Sequence, residues 1–394
     1  IVVGDFDADA TVARIETQFA GATARTDAAP ERAPSGITAF AEPGFVLHAD
    51  PAQPNVDVEV TLPLPAFDGH GTAADRAWIL DVVGYDVLIR RLARDAAGGE
   101  APFDDVVSGS NSFVTGFDAP ALYAFTDIDR APDTLRALLD EYERAWRFGF
   151  DQAEVDVSVA SLRAQYQTML AGADDVRDDP RADDLVAHYI DGAPVPDDAA
   201  AARRGLAELD AVTPEALAER FNARYTNTAP QVIVSVPHDQ ESEALTADAV
   251  LAAIAATPDR ELEPRPPGAV VATELMERPD PADPGDGRQL SQAGWALFDP
   301  IEYTFPNGAR VVLLPNAIVA GEMYLTAQSP GGTALVAGDD LVDAMFTTEV
   351  VTSSGVGPFS KSDLSDLLAG ADVELSADLQ PYTERWSGRA ASSD

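Results

Sequence analysis

The 394-residue sequence contains no cysteine, which removes disulfides and thiolate metal sites from consideration. A cysteine-free chain suits an oxidising or a reducing compartment equally, so this absence does not place it. Lysine is nearly as scarce, with Lys361 the single example; the other basic residues are arginines. Lys and Arg together number 26 against 67 Asp and Glu, a formal net charge of −41. That deficit of positive charge excludes a general nucleic-acid binder, which needs a basic face to neutralise phosphates. An anionic membrane surface would repel the chain for the same reason. No apolar run approaches the roughly 18 residues of a membrane-spanning helix. The four histidines, His48, His70, His188 and His238, all lie more than four residues apart, so neither H-x-x-E-H nor H-E-x-x-H occurs.

Hydrophobic residues make up 46% of the chain, enough for packed cores. An acidic excess this large destabilises a compact chain by self-repulsion unless concentrated salt screens it. The composition therefore points to a salt-adapted protein rather than to a dedicated cation site.

Hydrophobic periodicity predicts a mixed α+β chain. Ile1–Val3 reads as a short strand, followed by a helix with Val12, Ile15 and Phe19 on one face. Residues 21–36, rich in Ala, Thr and Pro, read as a linker. Extended segments are expected at 44–49 and 55–62. Trp78, Val82, Tyr85, Ile89 and Leu92 form a helical stripe that Gly98-Gly99 ends. Strands are expected at 111–117 and 121–127, and a helix over 132–148 carries Leu135, Leu138, Tyr142 and Trp146. Asp151-Gln-Ala-Glu154 has the form of a capping box, opening a helix with Val155, Val159, Leu162, Tyr166 and Met169 on one face. Helices are expected at 181–191 and 199–210. Thr213-Pro214 starts another, lined by Leu217, Phe221 and Tyr225. Gln231–Val236 reads as a buried strand and 243–256 as an Ala-rich helix. Residues 258–300 are punctuated by proline and read as a linker between domains. Ile301–Phe305 and Val311–Leu314 flank an Asn307-Gly308 hairpin turn, 322–328 adds a strand, 339–352 a helix, and 371–377 a last strand.

Candidate sites are few. Asp5, Asp7, Asp9 and Glu16 approach calcium-loop spacing, but Ala10 replaces the glycine of the sharp turn, and acidic residues also suit a first helical turn. Asp174, Asp175, Asp178, Asp179, Asp183 and Asp184 read as a solvated acidic face. Ser329-Pro-Gly-Gly lacks the lysine of a phosphate loop, and Ser353-Ser354-Gly355 is not a nucleophile elbow. No catalytic, cofactor-binding or metal-ligating residue is assigned.

Several segments resemble one family. Ile1-Val-Val-Gly-Asp-Phe6 resembles the last core strand of the catalytic domain in the insulinase/pitrilysin-like zinc metallopeptidases. Gly149-Phe150 with the Asp151 helix resembles a helix pair of that family's second domain. Asn307-Gly-Ala-Arg-Val-Val312 looks like the strand opening each half, and Ser329-Pro-Gly-Gly-Thr333 the turn after its third strand. The resemblance implies two homologous halves of α/β domains, with mixed sheets and packed helices, closing like a clamshell on an unstructured peptide. It implies zinc held through H-x-x-E-H, with the Glu acting on a zinc-bound water. That motif is missing here, and the corresponding helix of the second half, Leu341–Val351, has no histidine. The expectation is an internal fragment: 1–36 ends the first domain, 37–257 is the second, 258–300 links the halves, and 301–394 begins a third, metal-free domain. Zinc belongs to the complete parent, with none ligated by this chain.

On this reading the chain walls the peptide chamber and hinges the halves, without being active alone. The alternative is a catalytically silent homologue serving as a partner or structural subunit; a salt-adapted binding module unrelated to proteases is a third reading. Expected partners are an unstructured peptide and a second homologous subunit, and the expected location is periplasmic or extracellular.

Overall fold

The computed structural model describes residues 1–23, 40–65, 72–99, 101–111, 117–173, 178–191, 195, 197–237, 245–266, 274–277, 280, 288–289, 299–316 and 321–391. Two compact units divide the chain: residues 1–162 with 176–268, and residues 163–175 with 269–394.

In the first unit the elements run α1 (Ala8–Phe19), β1 (Gly44–Asp50), β2 (Val56–Thr61), β3 (Leu64–Pro65), α2 (Thr72–Ala97), β4 (Asp105–Asn111), β5 (Phe117–Thr126), α3 (Ala131–Phe148) and α4 (Gln152–Ala171), whose residues from 163 on belong to the second unit. Then come α5 (Asp178–Asp191), α6 (Asp198–Leu209), α7 (Pro214–Tyr225), β6 (Gln231–Pro237) and α8 (Ala247–Ala256). The strands form one mixed sheet, ordered β1-β6-β2-β5. Only β1 and β6 pair in parallel; the others are antiparallel. β3 continues the line of β2 along β5, and β4 takes β5's other edge. Strand alternation gives one fully buried face, with Val56, Val58, Val60, Leu122, Ala124, Val232 and Val234. Helices α2 and α3 supply the facing core through Ile79, Val83, Leu88, Leu135, Leu138 and Tyr142. The Tyr142 hydroxyl, buried with its ring, donates to the Val60 carbonyl at 3.1 Å and so ties α3 to β2.

The second unit holds two three-stranded sheets. One joins β7 (Arg288–Gln289), β8 (Ile301–Thr304) and β9 (Arg310–Leu313); the other has the order β10-β12-β11 from β10 (Glu322–Pro330), β11 (Val373–Leu379) and β12 (Thr383–Ala391). Between β10 and β11 lie α9 (Leu341–Ser353) and α10 (Lys361–Leu367). Gly308 sits at φ +86° in the predicted Asn-Gly turn, a backbone region that favours glycine.

Some expectations are corrected. Ile1–Val3 is not a strand, and Ile1 and Val2 are exposed: among the described residues the segment has no strand neighbour to accept its ladder hydrogen bonds. The pair expected at 111–117 and 121–127 is instead Asp105–Asn111 with Phe117–Thr126; Asp105, Val106 and Val107 pair with Phe125, Ala124 and Tyr123. On α2 the Trp78 stripe is displaced. Trp78 is 53% exposed, whereas Ile79, Val83, Val87 and Leu88 are buried, because this helix is apolar over a wider arc than one stripe. Trp146 and Met169, at the solvent ends of their stripes, are also exposed. The strand at 322–330 does not extend the 301–313 hairpin; it pairs with β12, a strand that went unpredicted, as did α10. The expected linkers at 21–36 and 258–300 lie largely outside the described residues.

Candidate functional site

The sheet face of the first unit opposite the helices is only partly covered. Register places Val46, Ile233, Glu59, Tyr123 and Val107 in one row across β1, β6, β2, β5 and β4. His48, Ser235, Asp57, Phe125 and Asp105 form the next. In β6 the alternation is regular, with buried residues toward the helices and Ile233 and Ser235 half-buried on this face; in β2 Asp57 is half-buried on this face, while Glu59 and Thr61 beside it are buried. Val46 and Val107, at the two sheet margins, are exposed. A Cβ on Gly109 would meet the Tyr123 ring at 3.1 Å, so that ring leans over β4. Gln53 donates to Asp57 Oδ2 at 2.7 Å; burial pushes the Asp57 carboxyl above its ordinary value, against that bond. The face thus presents aromatic rings, aliphatic side chains and carboxylates in rows whose members sit about one strand spacing apart.

Behind it, between the helices, a charged network fixes the scaffold. Arg91 of α2 is 5% exposed. Its Nε and Nη2 donate to Glu154 (3.0 and 2.7 Å), its Nη1 to Glu141 (3.1 Å), and its Nη2 also to the Gly149 carbonyl (3.2 Å). Burial opposes the Arg91 charge, but the two carboxylates outweigh it and hold its pKa above the ordinary arginine value. Arg224 of α7 bridges Asp81 and Asp118 at 2.7 and 2.9 Å, and Arg220 grips Asp81 through two bonds. Tyr225 donates to Glu143 at 2.7 Å, and burial raises its phenol pKa.

The sequence-read candidates scatter. His48 stands exposed on β1, 3.8 Å from Asp50, and His188 lies on α5; His70 and His238 fall outside the described residues. Asp7 caps α1, accepting from the Ala10 amide at 2.8 Å, so the calcium-like spacing forms a helix start. Asp178, Asp179, Asp183 and Asp184 lie on α5, while Asp174 and Asp175 are not described. The Asp151 carboxylate accepts from the Ala153 amide at 3.0 Å, and Glu154 returns to the Asp151 amide at 3.4 Å. Ser329 and Pro330 end β10, and the chain turns at Gly331-Gly332, with Gly332 at φ +90° and the Thr333 amide donating to the Gln380 carbonyl. Among the described residues no group of three His, Asp or Glu is placed to hold a metal ion, and no helix is long and apolar enough to cross a membrane.

Comparison with known proteins gives a consistent picture. Residues 1–162 match the family model described as Peptidase M16 inactive domain. No curated protein matches the chain. Among solved structures it is similar to the ferredoxin protease FusC, crystallised as a mutant in complex with Arabidopsis ferredoxin: TM-score 0.58 and 18% identity over 98% of this chain and 42% of that one. The periplasmic protease PqqL from Escherichia coli gives TM-score 0.56 and 18% identity, with the same coverage. The first half of PqqL alone gives TM-score 0.56 and 15% identity over 66% of this chain and 56% of that one. The chain therefore spans about 42% of the length of the full proteases it resembles.

Proposed function

For a chain that fits an insulinase-like family member, matched over residues 1–162 by the M16 inactive-domain model, we propose the role of a non-ligating middle portion of a zinc metalloendopeptidase. It forms part of the wall of the peptide chamber and the hinge between halves. The observation that carries this reading is the partly covered sheet face bearing Val46, Ile233, Tyr123 and Val107, with the Asp57 and Asp105 carboxylates in the next row. A helix-backed sheet is rigid, and this partly covered face offers an extended peptide apolar and carboxylate contacts without reacting with it. The described residues do not fit a zinc site, since they bring no three ligating side chains together. No step of hydrolysis is assigned to them.

The domain scheme follows: 1–36 ends a catalytic-type domain, 37–257 is the wall domain, 258–300 the inter-half span, and 301–394 opens a third domain. Closure about such a span gates substrate entry. The substrate is an unstructured peptide, and the setting a salt-exposed periplasmic or extracellular one; PqqL, a neighbour in fold, is periplasmic. The second reading is a silent homologue paired with a zinc-bearing subunit. Reading the gene upstream of Ile1 separates the two. An H-x-x-E-H helix with a later Glu is the expected result; a complete first domain without them overturns the enzyme reading in favour of the silent partner.

A further inference from the structure

The segment that leaves the last helix of the first unit is fastened down. Residues 257–259 form a 3-10 turn after α8, and 261–266 run on without helix or strand. Arg147 of α3, itself held by Glu143, donates to the carbonyls of Arg260 (2.8 Å) and Pro258 (2.6 Å). Arg260 reaches back to Asp140, the Ala253 carbonyl and Thr257 Oγ1. Five residues on, Arg265 forks onto Asp95 of α2, with Nη1 and Nη2 at 2.8 and 2.7 Å from its two oxygens. It also donates twice to Glu141 of α3, at 3.0 and 2.6 Å. Glu141 is fully buried, so this clip reaches into the helix core. Leu262 and Arg265 turn inward while Glu261, Glu263, Pro264 and Pro266 face solvent. The prolines pre-set an extended backbone, which lowers the entropy lost on docking.

We propose that residues 257–266 are a strap latched at Arg265, and that undoing this clip lengthens the tether beyond the first unit. The consequence for the hinge rests on the function proposed above; the strap itself does not. The two ends differ in kind. Near 258–260 the strap is held through its own backbone carbonyls as well as by the Arg260 side chain, whereas at 265 it is held only by side-chain ion pairs. The Arg265–Asp95 pair lines an open cleft of about 280 Å³ together with Leu92, Phe103 and Arg144, so solvent ions reach it. Release therefore begins at Arg265. Freeing 261–266 adds about 20 Å of reach at roughly 3.4 Å per extended residue.

A Glu-specific endoprotease on the whole 394-residue chain reads the strap directly. Glu263 is followed by proline, which leaves Glu261–Leu262 as the reporting bond. The folded wild type is expected to be cut there at least about 100-fold more slowly than the urea-unfolded chain. Arg265→Gln and Asp95→Asn should each raise the rate about tenfold or more with an unchanged circular dichroism spectrum. Arg265→Lys, which keeps the charge but loses the fork, should fall between. Wild-type cleavage as fast as in the unfolded chain, or variants indistinguishable from wild type, would overturn the latch. The cysteine-free background allows Tyr189→Cys and Tyr382→Cys to carry a spin-label pair, one in each unit. A distance distribution that broadens in Arg265→Gln supports the coupling to the hinge. Faster cleavage with an unchanged distribution supports the strap and overturns that coupling.

Discussion

Replacing Arg91 with methionine tests how the first unit is held together. The Arg91 side chain is 4% exposed, and its partners Glu154 and Glu141 are 4% and 0% exposed. Methionine fills most of the volume of the stem and keeps packing with Phe150, over which the guanidinium now lies at 5.6 Å. It removes the forked bonds to Glu154 and one bond to Glu141. Glu141 keeps Arg144 and Arg265, but Glu154 is left with Arg94 at 3.7 Å and a long backbone bond. Stranding a buried carboxylate in this way costs about 3–5 kcal/mol, a large part of a domain's stability of about 5–15 kcal/mol. Replacing the pair together, Arg91→Met with Glu154→Leu, removes the stranded charge and should recover all but about 1–2 kcal/mol. Urea titrations of both variants at fixed salt measure this. A single variant that loses under about 1 kcal/mol, or a double variant no better than the single, refutes the reasoning.

Alkaline titration gives a second prediction. Burial raises the phenol pKa values of Tyr85, Tyr142 and Tyr225 above the unfolded value near 10. The folded state therefore retains protons that the unfolded chain releases, so stability is full below about pH 10 and falls as pH rises beyond it. Absorbance at about 295 nm should show these tyrosines ionising only with unfolding; smooth titration in the folded chain would contradict this. In the second unit, Gly332→Ala would place a Cβ 2.1 Å from the Gln380 carbonyl oxygen at a φ of +90°. It should cost about 2 kcal/mol or more, with amide exchange of β10 and β12 quickening while the first unit's sheet is unchanged. Finally, the net charge of −41 predicts that the urea midpoint rises from about 0.1 M to about 2 M sodium chloride. A flat or falling midpoint would remove the case for salt adaptation.

Local signals were legible in the sequence wherever the cause was local. Thr213 caps α7, Gly98-Gly99 ends α2, and Asn307-Gly308 turns the hairpin, because each depends on neighbours a few residues away. The family resemblance was legible for the same reason, as a series of short segments in order. The charged core was not: Arg91 meets Glu154 and Glu141 at separations of 63 and 50 residues, and Arg265 meets Glu141 across 124. No periodicity marks such pairs, and in a chain with 67 carboxylates an arginine's partner is ambiguous. The candidate sheet face was hidden similarly, since its rows exist only once β1, β6, β2, β5 and β4 are in register. Trp78 shows the limit of a stripe argument, because a helix apolar over a wide arc can bury either edge.

The peptide-facing wall is tested most directly by photo-crosslinking. Benzoylphenylalanine at Val107 places the probe on the sheet face, and at Trp78 on α2; these sites are 41% and 53% exposed, so accessibility alone does not favour the first. With an unstructured biotinylated peptide in excess, the account predicts adducts at position 107 and few at position 78. Equal adducts, or adducts at 78 alone, would contradict the assignment of that face as the wall.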